Sequence, residues 1–192
     1  MEYILMRHAN DEQLNDTYCQ IRDLAIRNSV TLDHQDILER MISLAVDKSS
    51  AYVHPEVVEI AQQREKKRQE LLRQHPDIQF AENVLVETAG RISERVSDKL
   101  LTIVYNDVLR TEFTALAIVR ITGGNLVQGE LEEARDVYQW MHNHESEEGL
   151  GLIVTHEPAI RDITGIGEHI PHSSAYFLVN PENGRITDFQ KL

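Results

Sequence analysis

Residues 3–8 read Tyr-Ile-Leu-Met-Arg-His: four apolar side chains in a row, then an abrupt change to a guanidinium and an imidazole. Such a run at the start of an α/β chain predicts a strand buried on both faces of a parallel sheet, with function at its carboxyl end. Two later stretches repeat the arrangement. Leu101-Thr-Ile-Val-Tyr105 predicts a buried strand with Arg110 at the start of the next helix, and Leu150-Gly-Leu-Ile-Val154 predicts another that ends at Thr155-His156. Ligands of open α/β sheets bind outside the carboxyl ends of strands, so Arg7, His8, Arg110 and His156 are expected on one rim.

Outward from these strands, the chain after Phe80 alternates between strand and helix. Helices are expected at about 87–99, 110–120 and 130–142, with a short one after Pro158. Strands are expected near 125–127, 175–179 and 185–189, the last two joined by the turn Asn180-Pro-Glu-Asn-Gly184. This alternation predicts an α/β three-layer sandwich with a mostly parallel central sheet and an antiparallel edge. From about 11 to 80 no strand pattern occurs. Asp11 to Arg27 places Leu14, Tyr18, Ile21, Leu24 and Ala25 on one helical face. Asp33 can cap a second helix carrying Ile37, Leu38, Met41, Leu44 and Ala45, and Pro55 opens a third running to about Gln74. The expectation is one domain over 1–192, with a helical insertion at about 11–80 after the first strand.

Composition narrows the function classes. Of 192 residues 41% are hydrophobic and 27% charged, with a formal net charge of −13. That balance argues against a nucleic-acid partner, which needs many phosphates neutralised, while a few arginines can still hold one small anion. The run Arg64-Glu-Lys-Lys-Arg68, with Glu65 and Glu70 interleaved, reads as a solvated helix face. No apolar run is long enough to span a bilayer, and the N-terminus lacks the basic lead of a signal peptide. With Cys19 as the one cysteine, a packed or half-exposed thiol in a reducing compartment is expected, and cytoplasm is the default. His142 and His144 lie two apart and read as a solvated helix end. His169 and His172 flank Ile170-Pro171 and read as an exposed loop pair near the rim.

Two imidazoles and two guanidiniums converging on one rim predict an anion pocket. Arginine grips phosphoryl oxygens through paired N–H donors, and a neutral histidine is a competent phosphoryl acceptor.

The segments that carry these residues resemble the histidine phosphatase (phosphoglycerate mutase-like) superfamily. Leu5-Met6-Arg7-His8-Ala9-Asn10 resembles its Arg-His-Gly signature. Val86-Glu-Thr-Ala-Gly-Arg91 is similar to a helix start of that family, and Tyr105-Asn106-Asp-Val-Leu-Arg110-Thr-Glu-Phe113-Thr-Ala115 to its arginine-bearing segment. Ile153-Val-Thr-His156-Glu-Pro158 is similar to the segment with the second histidine. The resemblance covers about residues 1–10 and 84–192. In its C-terminal half it points to the small bacterial phosphohistidine phosphatases, because Gly129 to His156 is short. It implies a phosphatase working through a phosphohistidine on His8, with Arg7, Arg110 and His156 binding the phosphoryl group and no metal or other cofactor. The substrate would be a small phosphorylated compound or a phosphoprotein.

The family also supplies a carboxylate as general acid. Glu130 is the first choice by position, with Glu157, Asp11 and Glu12 as alternatives. Three departures stand out: Ala9 replaces a glycine, Asn106 and Phe113 replace residues that are often Ser and Gln, and the helical insertion replaces a short loop. Ala9, the unplaced acid and the insertion support a rival reading, a catalytically weak or inactive relative that binds a partner through the insertion.

Overall fold

The computed structural model describes residues 1–46, 81–96, 99–179 and 188–192. The expected helix 55–74, the basic run 64–68 and the turn 180–184 lie outside them. Among the described residues no helix is long and apolar enough to cross a membrane.

The chain runs β1 (Glu2–Arg7), α1 (Asp11–Arg27), α2 (His34–Ala45), α3 (Ala81–Val96), β2 (Leu101–Tyr105), α4 (Leu109–Thr122), β3 (Asn125–Gln128), α5 (Ala134–Asn143), β4 (Leu150–Thr155), α6 (Glu157–Thr164), β5 (Ala175–Val179) and β6 (Asp188–Lys191). The six strands form one sheet in the order β3-β2-β4-β1-β5-β6. The first four are mutually parallel, and β5 and β6 add the antiparallel side. This is the expected three-layer α/β architecture.

Alternation along each strand builds two cores. Ile4 and Met6 face one way with Ile103, Leu152 and Val154, and α1 to α4 cover them through Leu14, Ile21, Leu38, Leu85, Ile92 and Phe113. Tyr3, Leu5, Val104 and Ile153 face the other way, under Val137 and Met141 of α5 and Ile160 and Ile163 of α6. The chain steps outward from β2 to β3 and back from β3 to β4. With right-handed crossovers, that reversal puts α4 and α5 on opposite faces. Gly151 of β4 is closely packed: a Cβ there would lie 3.0 Å from Tyr3 Cδ1 and 3.2 Å from Trp140 Cζ3, so both rings would have to shift by a few tenths of an ångström.

Helices α1 and α2, the described part of the insertion, dock on α4. Asp33 caps α2 in a reciprocal box, taking the Asp36 N–H at 2.8 Å while Asp36 takes the Asp33 N–H at 3.1 Å. The next two residues, His34 and Gln35, donate to the two oxygens of the buried Glu112 carboxylate at 2.9 and 3.0 Å. Tyr18 of α1 closes the chain by hydrogen bonding His34 Nδ1 at 2.9 Å.

Several boundaries differ from expectation, the last strand reaching Lys191 rather than 189 and α3 ending at Val96 rather than 99. Helix α5 begins at Ala134, not 130, because a box between Glu133 and Asp136 sets its first turn and Leu131 is pulled into the core. Helix α3 begins at Ala81, not 87, with Leu85 fully buried one turn before Ala89. Cys19, expected packed or half-exposed, is exposed.

Candidate active site

The carboxyl ends of β1 and β4 lie side by side, with Arg7 paired to Thr155. His8 and His156 therefore leave adjacent strands, and their rings meet with centroids 5.1 Å apart. His8 is 5% exposed. Its Nδ1 lies 2.7 Å from the Ala9 carbonyl, which can only accept, so Nδ1 carries the proton and Nε2 keeps its lone pair. Burial, offset in part by the Ala9 bond and reinforced by His156, Arg110 and Arg7, pushes the His8 pKa down to about 4. The ring is thus neutral at physiological pH.

His156 has the opposite tautomer. Arg110 Nε donates to its Nδ1 at 3.4 Å, leaving the proton on Nε2. Burial, then the Arg110 charge, lowers its pKa as well.

Arg7 is held from several sides. It ion-pairs with Glu157 at 2.8 Å, donates to the Ile170 carbonyl, and donates to Nε2 of His172 at 3.0 Å. Its Nε is buried with no partner among the described residues. Burial lowers the Arg7 pKa, opposed by Glu157 and Asp11. Glu157 in turn accepts from the Ile170 N–H at 3.0 Å and from His169 at 3.1 Å. Burial works against its charge, but the Ile170 N–H, Arg7 and His169 together hold the carboxyl below its usual range. An acid kept ionised this way is poorly suited to donate a proton.

Two threonines tie the pieces together. Thr114 Oγ1 accepts the Ala9 N–H at 2.9 Å and donates to the Arg110 carbonyl at 2.6 Å, linking the loop after His8 to the turn that carries Arg110. Thr111 Oγ1 donates to the Asn106 carbonyl at 2.7 Å, closing the start of α4, where Val108 offers no side-chain cap. Ala9 is not among the described non-glycine residues with positive φ, which are Ser29 and Ser173, so the methyl group there causes no backbone strain.

The expected quartet is therefore brought together, and the structure adds members. His172, expected as an exposed loop residue, is half-buried with its ring centroid 5.6 Å from that of His8. Burial, then the Arg7 charge, lowers its pKa. Sequence reasoning missed it because 172 reaches the site through the pairing of β5 with β1: the Ser173 N–H bonds the Arg7 and His8 carbonyls, and Met6 sits opposite Ala175.

The carboxylates separate. Asp11 lies 3.9 Å from Arg110 NH1 and acts electrostatically on His156, whereas Glu12 is exposed and bonded to Asn10. Glu130 is exposed and lines a neighbouring cleft of about 800 Å3. No hydrogen bond or ion pair joins Glu130 to the quartet among the described residues. Its neighbour Glu132 is the carboxylate of that segment whose charge acts on His156.

Fold and site together define a three-layer α/β protein with a histidine–arginine cluster at the carboxyl rim of its central strands. No protein-family model matches the chain, and no curated protein sequence does. Three solved structures align with it as follows. A putative phosphohistidine phosphatase, SixA, from Agrobacterium tumefaciens aligns over 98% of this chain and 96% of its own, at 13% identity and a TM-score of 0.48. A mycobacterial glucosyl-3-phosphoglycerate phosphatase aligns over 99% and 96%, at 11% identity and a TM-score of 0.45. Phosphoglycerate mutase from Plasmodium falciparum aligns over 52% and 78%, at 17% identity and a TM-score of 0.41.

Proposed function

We propose that the chain is a phosphatase that hydrolyses its substrate through a phosphohistidine on His8. The observation that carries this reading is the His8 ring itself: buried, neutral, with Nδ1–H held by the Ala9 carbonyl and Nε2 unprotonated among two guanidiniums and a second imidazole.

In the first step His8 Nε2 attacks phosphorus and the bond to the leaving oxygen breaks. The imidazole becomes cationic on phosphorylation, and its Nδ1–H bond to Ala9 strengthens accordingly. Arg7 and Arg110 offset the charge on the phosphoryl oxygens, and His156 offers its Nε2–H. The leaving oxygen needs a proton. We assign that role to Asp11, whose ion pair with Arg110 is long at 3.9 Å, ahead of Glu130, which no contact among the described residues joins to the quartet, and of Glu157, which Arg7, His169 and the Ile170 N–H hold together. In the second step water attacks phosphorus and gives its proton to the Asp11 carboxylate left by the first step, the P–N bond breaks, and phosphate leaves with His8 neutral again. The substrate is a phosphorylated small molecule or protein side chain, and these residues supply the charge neutralisation without a metal.

The test is hydrolysis of p-nitrophenyl phosphate in the presence of a chelator, comparing wild type with His8→Ala. Turnover by the wild type alone supports the reading. Equal turnover by both sinks it. No turnover by either protein would favour the rival reading of a partner-binding relative.

A further inference from the structure

The cleft beside the cluster has a chemistry of its own. It lies at the carboxyl ends of β2 and β3, and five of its lining side chains are carboxylates against one cation, Arg135. Glu133 and Asp136 form the capping box of α5, and Arg135 Nε lies 3.8 Å from Asp136. That leaves Asp107, Glu130 and Glu132, all exposed and none in a hydrogen bond or ion pair with another described residue. Acid near the starts of α4 and α5 is partly explained by the helix dipoles.

Asn106 is not explained that way. It lines the same cleft, is 4% exposed, and its carboxamide oxygen has no hydrogen-bond partner among the described residues. A buried acceptor left unpaired is costly, and it is satisfied by an incoming N–H donor once the amide turns about its broad terminal torsion.

The position fits a leaving group. Strand β4 separates β1 from β2, so at a spacing of about 4.8 Å per strand the Asn106 end lies roughly 10 Å from the His8 end, with His156 between them. The Glu132 charge is felt at His156. A leaving group directed from the phosphoryl site past His156 therefore runs toward the acidic cleft.

We propose that this cleft selects a substrate whose leaving group is cationic and carries N–H donors, namely the phosphomonoester of an amino alcohol. The inference rests on the phosphatase reading of the His8 site. On transfer the P–O bond breaks, the leaving oxygen takes the proton, and the ammonium group keeps its charge throughout. A carboxylate-bearing leaving group would meet three unpaired carboxylates and be disfavoured.

The experiment is calorimetric binding of two non-hydrolysable probes to the intact protein, 2-aminoethylphosphonate and ethylphosphonate. The ammonium probe is expected to bind about tenfold tighter at low ionic strength, the scale of a few partly screened charge pairs. That advantage should shrink as salt is added, and the affinity ratio should fall toward one in the Asp107→Asn/Glu132→Gln double variant. Equal affinities in the wild type overturn the proposal, as does a ratio that the double variant leaves unchanged. p-Nitrophenyl phosphate turnover separates the two failures. If it is hydrolysed while the probes tie, only the cleft assignment falls; if it is not hydrolysed and neither probe binds, the phosphatase reading falls with it.

Discussion

The ring of His8 meets that of His156 edge to face, with centroids 5.1 Å apart and planes inclined at 68°. Each ring is tied at Nδ1, but His8 donates there to a carbonyl and His156 accepts from a guanidinium. One therefore presents a lone pair and the other a proton. This is the division of labour that nucleophilic attack and oxyanion stabilisation require, and it depends on His8 being neutral.

The pH dependence follows from that neutrality. The His8 ionisation in kcat/KM should appear near pH 4, not near 6.5, so an otherwise suitable substrate should still be turned over at pH 5. For stability the sign is the same. Between pH 6.5 and about 4 the unfolded chain binds a proton that folded His8 refuses. The contribution is complete above pH 6.5 and is lost as pH falls toward about 4. Urea unfolding at pH 7 and pH 4.5 should show the wild type losing roughly 2–3 kcal/mol more than His8→Ala over that interval.

Thr114→Val keeps the shape of a fully buried side chain but removes the acceptor for the Ala9 N–H. A buried donor left unpaired costs about 1–3 kcal/mol. Thermal unfolding should register that loss. Activity should fall further than stability alone explains, because the loop after His8 and the turn bearing Arg110 lose their common tie.

Glu157→Gln removes the charge opposite Arg7 while keeping an acceptor for the Ile170 N–H. Losing one member of a mostly buried ion pair should destabilise by roughly 2–4 kcal/mol. If Glu157 orients Arg7 and does not act as the acid, KM for a phosphomonoester should rise and the shape of the pH–rate profile should stay as in the wild type.

Much of this site was legible in the sequence because buried parallel strands announce themselves. Tyr3 to Met6, Leu101 to Tyr105 and Leu150 to Val154 are apolar runs that end in polar residues, and those ends are the rim. The bounds of α1 and the Asp33 cap of α2 were equally readable, since helical spacing and capping are local. What could not be read is long-range. His172 joins His8 through the register of β5 against β1, and Glu157 finds Arg7 across the gap between α6 and β1. The start of α5 was misplaced because Gly129 to Glu133 looks like an acidic first turn. In the fold that segment is held against β4 by the Thr155 hydroxyl, which donates to the Leu131 carbonyl at 2.6 Å.

Ala9 stands where the pattern this segment resembles has a glycine, without needing glycine's freedom. Ala9→Gly should therefore bring no gain in turnover. It should lower stability by about 0.5–1 kcal/mol through added freedom in the unfolded chain, a difference readable from denaturation midpoints.

The most direct test of the central claim is to mix the protein with a turned-over phosphomonoester, quench in alkali, where phosphohistidine survives, and map the label by mass spectrometry. One phosphorylated peptide is expected, Met1 to Arg22 or a fragment of it, modified on His8, and none in His8→Ala. Turnover with the phosphoryl group on another residue, or with His8→Ala as active as the wild type, would contradict it.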